Sequence, residues 1–138
     1  MDKPVIHLLL KHLHEKIAKQ TNYILSDLDV TFSQGPILKV LSDSENNTTS
    51  LKNLEKELGL AQSTVAGLVS RLEQKEFVVT KVDELDKRVK LVCLTDRGIA
   101  VTNHVRENMG NFEEQLFEKF SDEEKTQFIY LVQKLIDN

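Results

Sequence analysis

Residues Ser50 to Lys75 read SLKNLEKELGLAQSTVAGLVSRLEQK, and the fold turns on how this stretch divides. Leu51, Leu54 and Leu58 share one face of a short helix that Ser50 is placed to cap. Gly59 closes it, as a residue free to take positive φ. A tight turn then leads into a second helix spanning Gln62 to Lys75, and two short helices so joined follow the helix-turn-helix plan. In the second helix Val65, Leu68, Val69 and Leu72 fall within one narrow arc and face a core. The opposite arc holds Ser63, Gly67, Ser70 and Gln74, flanked by Thr64 and Arg71. No acid occurs between Leu58 and Glu73. A helix entering the DNA major groove needs such a face. Bulk would hold it off the bases and carboxylates would repel phosphate, whereas Gln, Ser, Thr and Arg can bond base edges or backbone oxygens. The bland alternative is a solvated helix side. Such sides usually carry Glu/Lys pairs, and their absence here favours the groove modestly.

Downstream the period changes. Phe77–Val82 and Val89–Leu94 are β-branched and apolar, and the charged run from Asp83 to Arg88 separates them. This is a β-hairpin whose register the sequence leaves open. Its loop supplies Lys87 and Arg88, placed to reach the minor groove beside a recognition helix, and Asp86 can hold Arg88 by a bidentate contact. The plain alternative is a solvated charged turn; only the position after the candidate recognition helix raises it above that. Thr95 caps a long helix carrying Val101, Val105, Met109, Phe112, Leu116 and Phe120. Ser121 with Glu124 forms a capping box opening a final helix with Phe128, Leu131, Val132, Leu135 and Ile136. Upstream, Ile6, Leu9, Leu10, Leu13, Ile17, Ile24 and Leu28 mark a first helix over about Val5–Leu28. Thr31 with Gln34 reads as a capping box for a second helix, Phe32 to Leu41, with Pro36 near its start. The polar stretch Ser42–Ser50 reads as a loop.

The 138 residues suit one domain with a real core, and no apolar run approaches the roughly 20 residues of a membrane span. No small-residue cleavage site follows an apolar core, so no signal peptide is expected. The single Cys93 forms no internal disulfide, which makes a reducing cytoplasm the simplest setting. The net charge of −4 argues against a generic nucleic-acid binder. Leu51 to Gly98 carries nine Lys/Arg against eight Asp/Glu, so the winged segment is only slightly less acidic than the rest. Charge alone decides nothing.

The order of segments resembles the MarR (multiple antibiotic resistance regulator) family of winged helix proteins over nearly the whole chain. The stretches that carry this are Leu54-Glu55-Lys56-Glu57-Leu58-Gly59-Leu60, Ser63-Thr64-Val65 and Leu68-Val69-Ser70-Arg71-Leu72-Glu73, then Asp86-Lys87-Arg88 and Leu94-Thr95-Asp96-Arg97-Gly98. The resemblance implies a mainly α fold with a small β-hairpin: a winged helix-turn-helix domain flanked by long dimerisation helices. Residues 1–30 would be the N-terminal dimerisation helix, 31–98 the DNA-binding region and 99–138 the C-terminal dimerisation helices, all in one continuous structural domain. It further implies a homodimer on a pseudo-palindromic operator in double-stranded DNA, acting as a repressor released by a small aromatic or lipophilic effector. By position, Gln62, Ser63, Thr64, Gly67, Ser70 and Arg71 would line the major groove. Lys87 and Arg88 would be the wing contacts, oriented by Asp86. Three departures stand out: Ala61 where a capping Ser is usual, Glu76 where Gly is common, and Thr80 where an Arg commonly ends the first strand.

The apolar stripes of the terminal helices exceed what one small domain covers, which independently favours an intertwined dimer. A dimer would set two recognition helices about one DNA turn (roughly 34 Å) apart. A different class of reading is a dimeric protein-interaction regulator with weak or lost DNA binding. His7, His12, His14 and His104 do not converge at the spacing of a zinc site, so no metal is expected. Cys93 in a strand between Val92 and Leu94 reads as an inert buried thiol rather than a redox sensor. No phosphate loop or catalytic constellation is present, and neither a cofactor nor enzymatic activity is expected.

Overall fold

A computed structural model describes residues 3–137, so the extreme ends of the expected 1–30 and 99–138 segments lie outside the described residues. Six helices and three short strands follow in the order α1 (Ile6–Asp27), α2 (Gly35–Asp43), β1 (Thr48–Ser50), α3 (Leu51–Leu58), α4 (Gln62–Gln74), β2 (Val78–Val82), β3 (Lys90–Leu94), α5 (Asp96–Leu116) and α6 (Asp122–Ile136). The sheet is antiparallel with order β1-β3-β2. This is a winged helix: mainly α, with a small sheet beside a helix-turn-helix.

The core gathers one face of each central element. Ile37, Leu38 and Leu41 of α2, Leu54 of α3, the inward arc of α4, and Phe77, Val78, Val92 and Leu94 of the sheet region pack into one buried cluster. Capping fixes where the helices begin. The Ser50 hydroxyl accepts the Asn53 N–H, Thr95 accepts that of Gly98, and Ser121 and Glu124 bond reciprocally as a capping box. Gly59 takes φ 63° at the end of α3.

The structure differs from the sequence reading in three elements. Ser42–Ser50 is not simply a loop: a 3-10 turn at Glu45–Asn47 leads into β1, whose Thr48, Thr49 and Ser50 face Cys93, Val92 and Leu91 of β3. An edge strand of half-exposed hydroxyl residues has no apolar alternation to betray it. Helix α2 begins at Gly35 rather than Phe32 and runs on to Asp43. The Thr31–Gln34 pair forms as a reciprocal box, with both N–H···O distances 3.2 Å, but it closes a separate turn. Pro36 has no N–H to offer the Phe32 carbonyl, so the ladder restarts behind it. Helix α5 stops at Leu116, and Phe117, Phe120 and Phe128 then stack edge to face with centroids 5.0–5.9 Å apart at the corner before α6.

Glu76 sits at φ 65°, a conformation that costs most side chains about 1–2 kcal/mol and glycine almost nothing. Its carboxylate meets Arg97 only at 3.5 Å, with both groups largely in solvent, so that pair returns little. Glu76→Gly therefore raises unfolding stability by about 0.5–1 kcal/mol in a urea melt. A loss of stability would show that the Arg97 contact outweighs the backbone strain.

Candidate nucleic-acid interface

Helix α4 is held from one side only. Val65, Leu68, Val69 and Leu72 are buried, whereas Gln62, Ser63, Thr64, Gly67, Ser70, Arg71 and Gln74 are all exposed. The seven therefore form one continuous outer face. The residue at its N-cap, Ala61, makes no side-chain hydrogen bond, and the first turn holds no acid. The N–H groups at that end retain their positive character toward an incoming phosphate. A Cβ built on Gly67 meets nothing within 4 Å, so packing inside the chain does not demand glycine there.

The wing lies next in the chain. Strands β2 and β3 pair from Val78↔Leu94 to Val82↔Lys90, and Asp83 N–H continues the ladder to the Val89 carbonyl at 2.9 Å. At the tip Asp86 organises Arg88. Its Oδ1 accepts the Arg88 backbone N–H and Nε, each at 3.1 Å, and its Oδ2 accepts Nη2 at 3.2 Å. Arg88 is nevertheless 91% exposed, so the guanidinium is oriented without being covered. The side-chain hydrogen bonds from Arg88, then its backbone N–H, hold the Asp86 carboxyl below the usual carboxylate range. The clamp is thus complete at neutral pH, and is lost only as acid brings the pH down through that lowered value. Lys87 is exposed beside it.

Two side chains that the sequence did not single out as structural ties bind these elements together. Thr80 stands in the middle of β2, not at the strand's end, and donates both its N–H (3.1 Å) and its hydroxyl (2.8 Å) to Glu73 Oε2. The wing is thereby latched to α4, and the acid nearest the end of the exposed face is engaged. Lys75 Nζ donates to the Asp29 carbonyl at 2.7 Å and to Gln34 Oε1 at 2.9 Å. Both ties link side chains across turns or distant elements, where no periodicity could announce them.

The chain as a whole is similar to known proteins. The MarR family profile matches residues 28–89. The transcriptional regulator SarZ of Staphylococcus aureus (strain MRSA252) is 30% identical over 107 residues, covering 78% of this chain and 70% of that one. The chain belongs to the MarR family. As such it is a winged helix-turn-helix, DNA-binding transcription regulator. Among solved structures, the S. aureus MepR–DNA complex superposes with a TM-score of 0.83 at 24% identity, covering 98% of both chains. The Streptomyces coelicolor regulator PcaV, in complex with its natural ligand, superposes with a TM-score of 0.72 at 21% identity, covering 99% of this chain and 98% of that one.

Two further regions of this MarR-family chain stand apart from the winged segment. A cavity of about 660 Å³ opens between α1, α2 and α5, walled by Leu25, Phe32, Leu38, Val105, Met109 and Phe112, with Lys39 and Arg106 also on its lining. The terminal helices leave large apolar side chains uncovered, among them Ile6 (71%) and Leu9 (53%) in α1, and Leu131 (54%) and Leu135 (68%) in α6. Helix α6 buries no residue fully.

The expected full burial of Cys93 is corrected. It is half-buried, and its thiol lies 3.4 Å from the Leu94 carbonyl. Strand alternation explains this, since Val92 and Leu94 take the core side and turn Cys93 to the other face. His7, His12, His14 and His104 are all exposed. Among the described residues no three His, Cys, Asp or Glu side chains converge as a metal site, and no helix is long and apolar enough to cross a membrane.

Proposed function

We propose that this chain acts in the cytoplasm as a homodimeric repressor of a pseudo-palindromic operator, released when a small aromatic or lipophilic effector binds. The observation that carries the reading is the acid-free outer face of α4, standing beside an exposed Arg88 that Asp86 has already oriented. In this reading Gln62, Ser63, Thr64, Gly67, Ser70 and Arg71 enter the major groove. Arg88 and Lys87 reach the flanking minor groove and phosphates. The MepR complex supports a DNA-bound form of this fold.

The uncovered apolar side chains of α1 and α6 support dimerisation, because contiguous apolar surface of this kind marks an interface rather than a solvated face. The cavity between α1, α2 and α5 is the effector site. Its walls are apolar enough for an aromatic ring, and Lys39, Arg106 and Glu113 on its lining supply polar partners for a small aromatic molecule. Occupancy would favour a spacing of the two α4 helices that mismatches the operator. The chain works by binding and carries out no catalysis of its own.

A second reading has one observation behind it: the near-neutral charge of Leu51–Gly98, which suits a dimer acting through protein contacts with weak or lost DNA binding. Titration of duplex binding against salt separates the two. Operator binding falls steeply as salt rises, in proportion to the phosphates neutralised, and an absent or salt-insensitive interaction would favour the protein-contact reading.

Gly67 gives a sharper test. Gly67→Ala adds a helix-favouring methyl that meets nothing in the chain, so stability rises by about 0.5–1 kcal/mol. The same methyl stands on the groove face and weakens duplex binding. A variant that is stabilised and binds DNA as before would remove Gly67 from the interface.

A further inference from the structure

The cavity and the recognition helix share one small piece of chain. Asp29 takes φ 59° just past the C-cap of α1, and residues 31–34 close on themselves: Gln34 Oε1 accepts the Thr31 N–H, and Gln34 N–H donates to Thr31 Oγ1, each at 3.2 Å. The Gln34 side chain is buried, at 2% exposure. Phe32, Gly35 and Pro36 lie in or directly after this turn and form part of the cavity wall. On its other side the turn holds Lys75, the C-cap of α4. Lys75 Nζ donates to the Asp29 carbonyl at 2.7 Å and to Gln34 Oε1 at 2.9 Å, and lies 3.6 Å from Asp29 Oδ1. One ammonium thus grips two acceptors of the turn, 46 and 41 positions back in the chain. Directly beyond it, Glu76 N–H bonds the Glu73 carbonyl and Phe77 N–H the Leu72 carbonyl, and β2 begins.

We propose that Lys75 is a positioning residue that transmits occupancy of the cavity to the recognition helix and wing. This rests on the reading of the cavity as an effector site. An occupant pressing on Phe32 and Pro36 shifts the turn, and the turn carries the acceptors of Lys75 with it. Because those hydrogen bonds are short and one of them ends on a buried amide, the end of α4 follows rather than losing its partners. The Lys75 anchor is the polar side-chain tie between that turn and the end of α4, beside the apolar packing of Val30 in the shared core.

The test needs an occupant tethered to one wall of the cavity. Gly110 lines the cavity on α5, and a Cβ there meets nothing within 4 Å, so Gly110→Phe serves as a tethered ring. Amide hydrogen exchange is followed by NMR with and without Gly110→Phe, in chains carrying Lys75 and in Lys75→Met, which keeps the apolar stem and removes the charge. Lys75→Gln serves as a second variant against any packing effect of Met. With Lys75 present, the ring changes exchange at the turn (Val30, Gln34) and at Glu76 and Phe77, by about fivefold or more. In the Met and Gln backgrounds the turn responds as before, and Glu76 and Phe77 do not. An equal response at Glu76 and Phe77 without Lys75 would overturn the proposal, as would a turn that ignores the ring. Duplex affinity of the same proteins is read separately. Exchange that follows the expected pattern with affinity unaltered supports the Lys75 link and counts against effector release.

Discussion

Arg88→Ala weakens binding to the chain's preferred duplex by about tenfold or more and lowers the slope of log affinity against log salt by about one. The size follows from what is lost. The guanidinium is fully charged, exposed and already held by two hydrogen bonds from its own side chain to Asp86, so little ordering entropy is spent when it meets DNA. Asp86→Ala leaves the charge but frees its direction, and its loss of affinity is smaller, with the salt slope unchanged. Binding measured by fluorescence anisotropy across a salt series distinguishes the two variants. An Arg88→Ala protein that binds as tightly as its parent, with the same salt slope, would take the wing tip out of the interface.

Gly98→Ala destabilises the fold by about 3 kcal/mol or more, at the severe end of overpacking. A Cβ at this position would stand 1.9 Å from the Phe77 carbonyl oxygen, 2.9 Å from its carbonyl carbon and 3.1 Å from Leu94 Cδ2. The first two are backbone and cannot swing aside. The same carbonyl accepts the Thr95 N–H at 3.0 Å, so retreat would also break the junction at which β3 passes into α5. Gly98 is required here by close approach, not by a left-handed backbone. Urea unfolding monitored by circular dichroism reads the effect, and a loss under about 1 kcal/mol would mean that α5 shifts more freely than this packing allows.

These two residues also mark what the sequence disclosed. The helix-turn-helix was legible because its signals are local: Ser50 and Gly59 bracket α3, and Val65, Leu68, Val69 and Leu72 recur at the spacing of one helix face. The Asp86–Arg88 clamp was legible for the same reason, since two residues apart in a turn can meet in few ways. What escaped is long-range. Strand β1 exists because β3 offers it partners 41 to 45 positions away, and Thr48-Thr49-Ser50 alone carries no strand pattern. The Thr80–Glu73 latch and the Lys75 anchor depend on tertiary placement, so Thr80 read only as a missing positive charge. The apolar neighbours of Cys93 suggest burial, yet alternation along a strand puts those neighbours on the opposite face. The start of α2 is hidden because the Thr31 box has the signature of a helix cap, while Pro36 interrupts the ladder behind it.

The central claim is that two copies of this chain read one symmetric DNA site. Selection of bound sequences from random duplex DNA with the purified protein at moderate salt tests it most directly. The account predicts recovery of a palindrome whose half-site centres lie about 10 base pairs apart, as two α4 helices on one face of the duplex require. Failure to enrich any sequence, even at low salt, would contradict it and leave the exposed face of α4 without its proposed role.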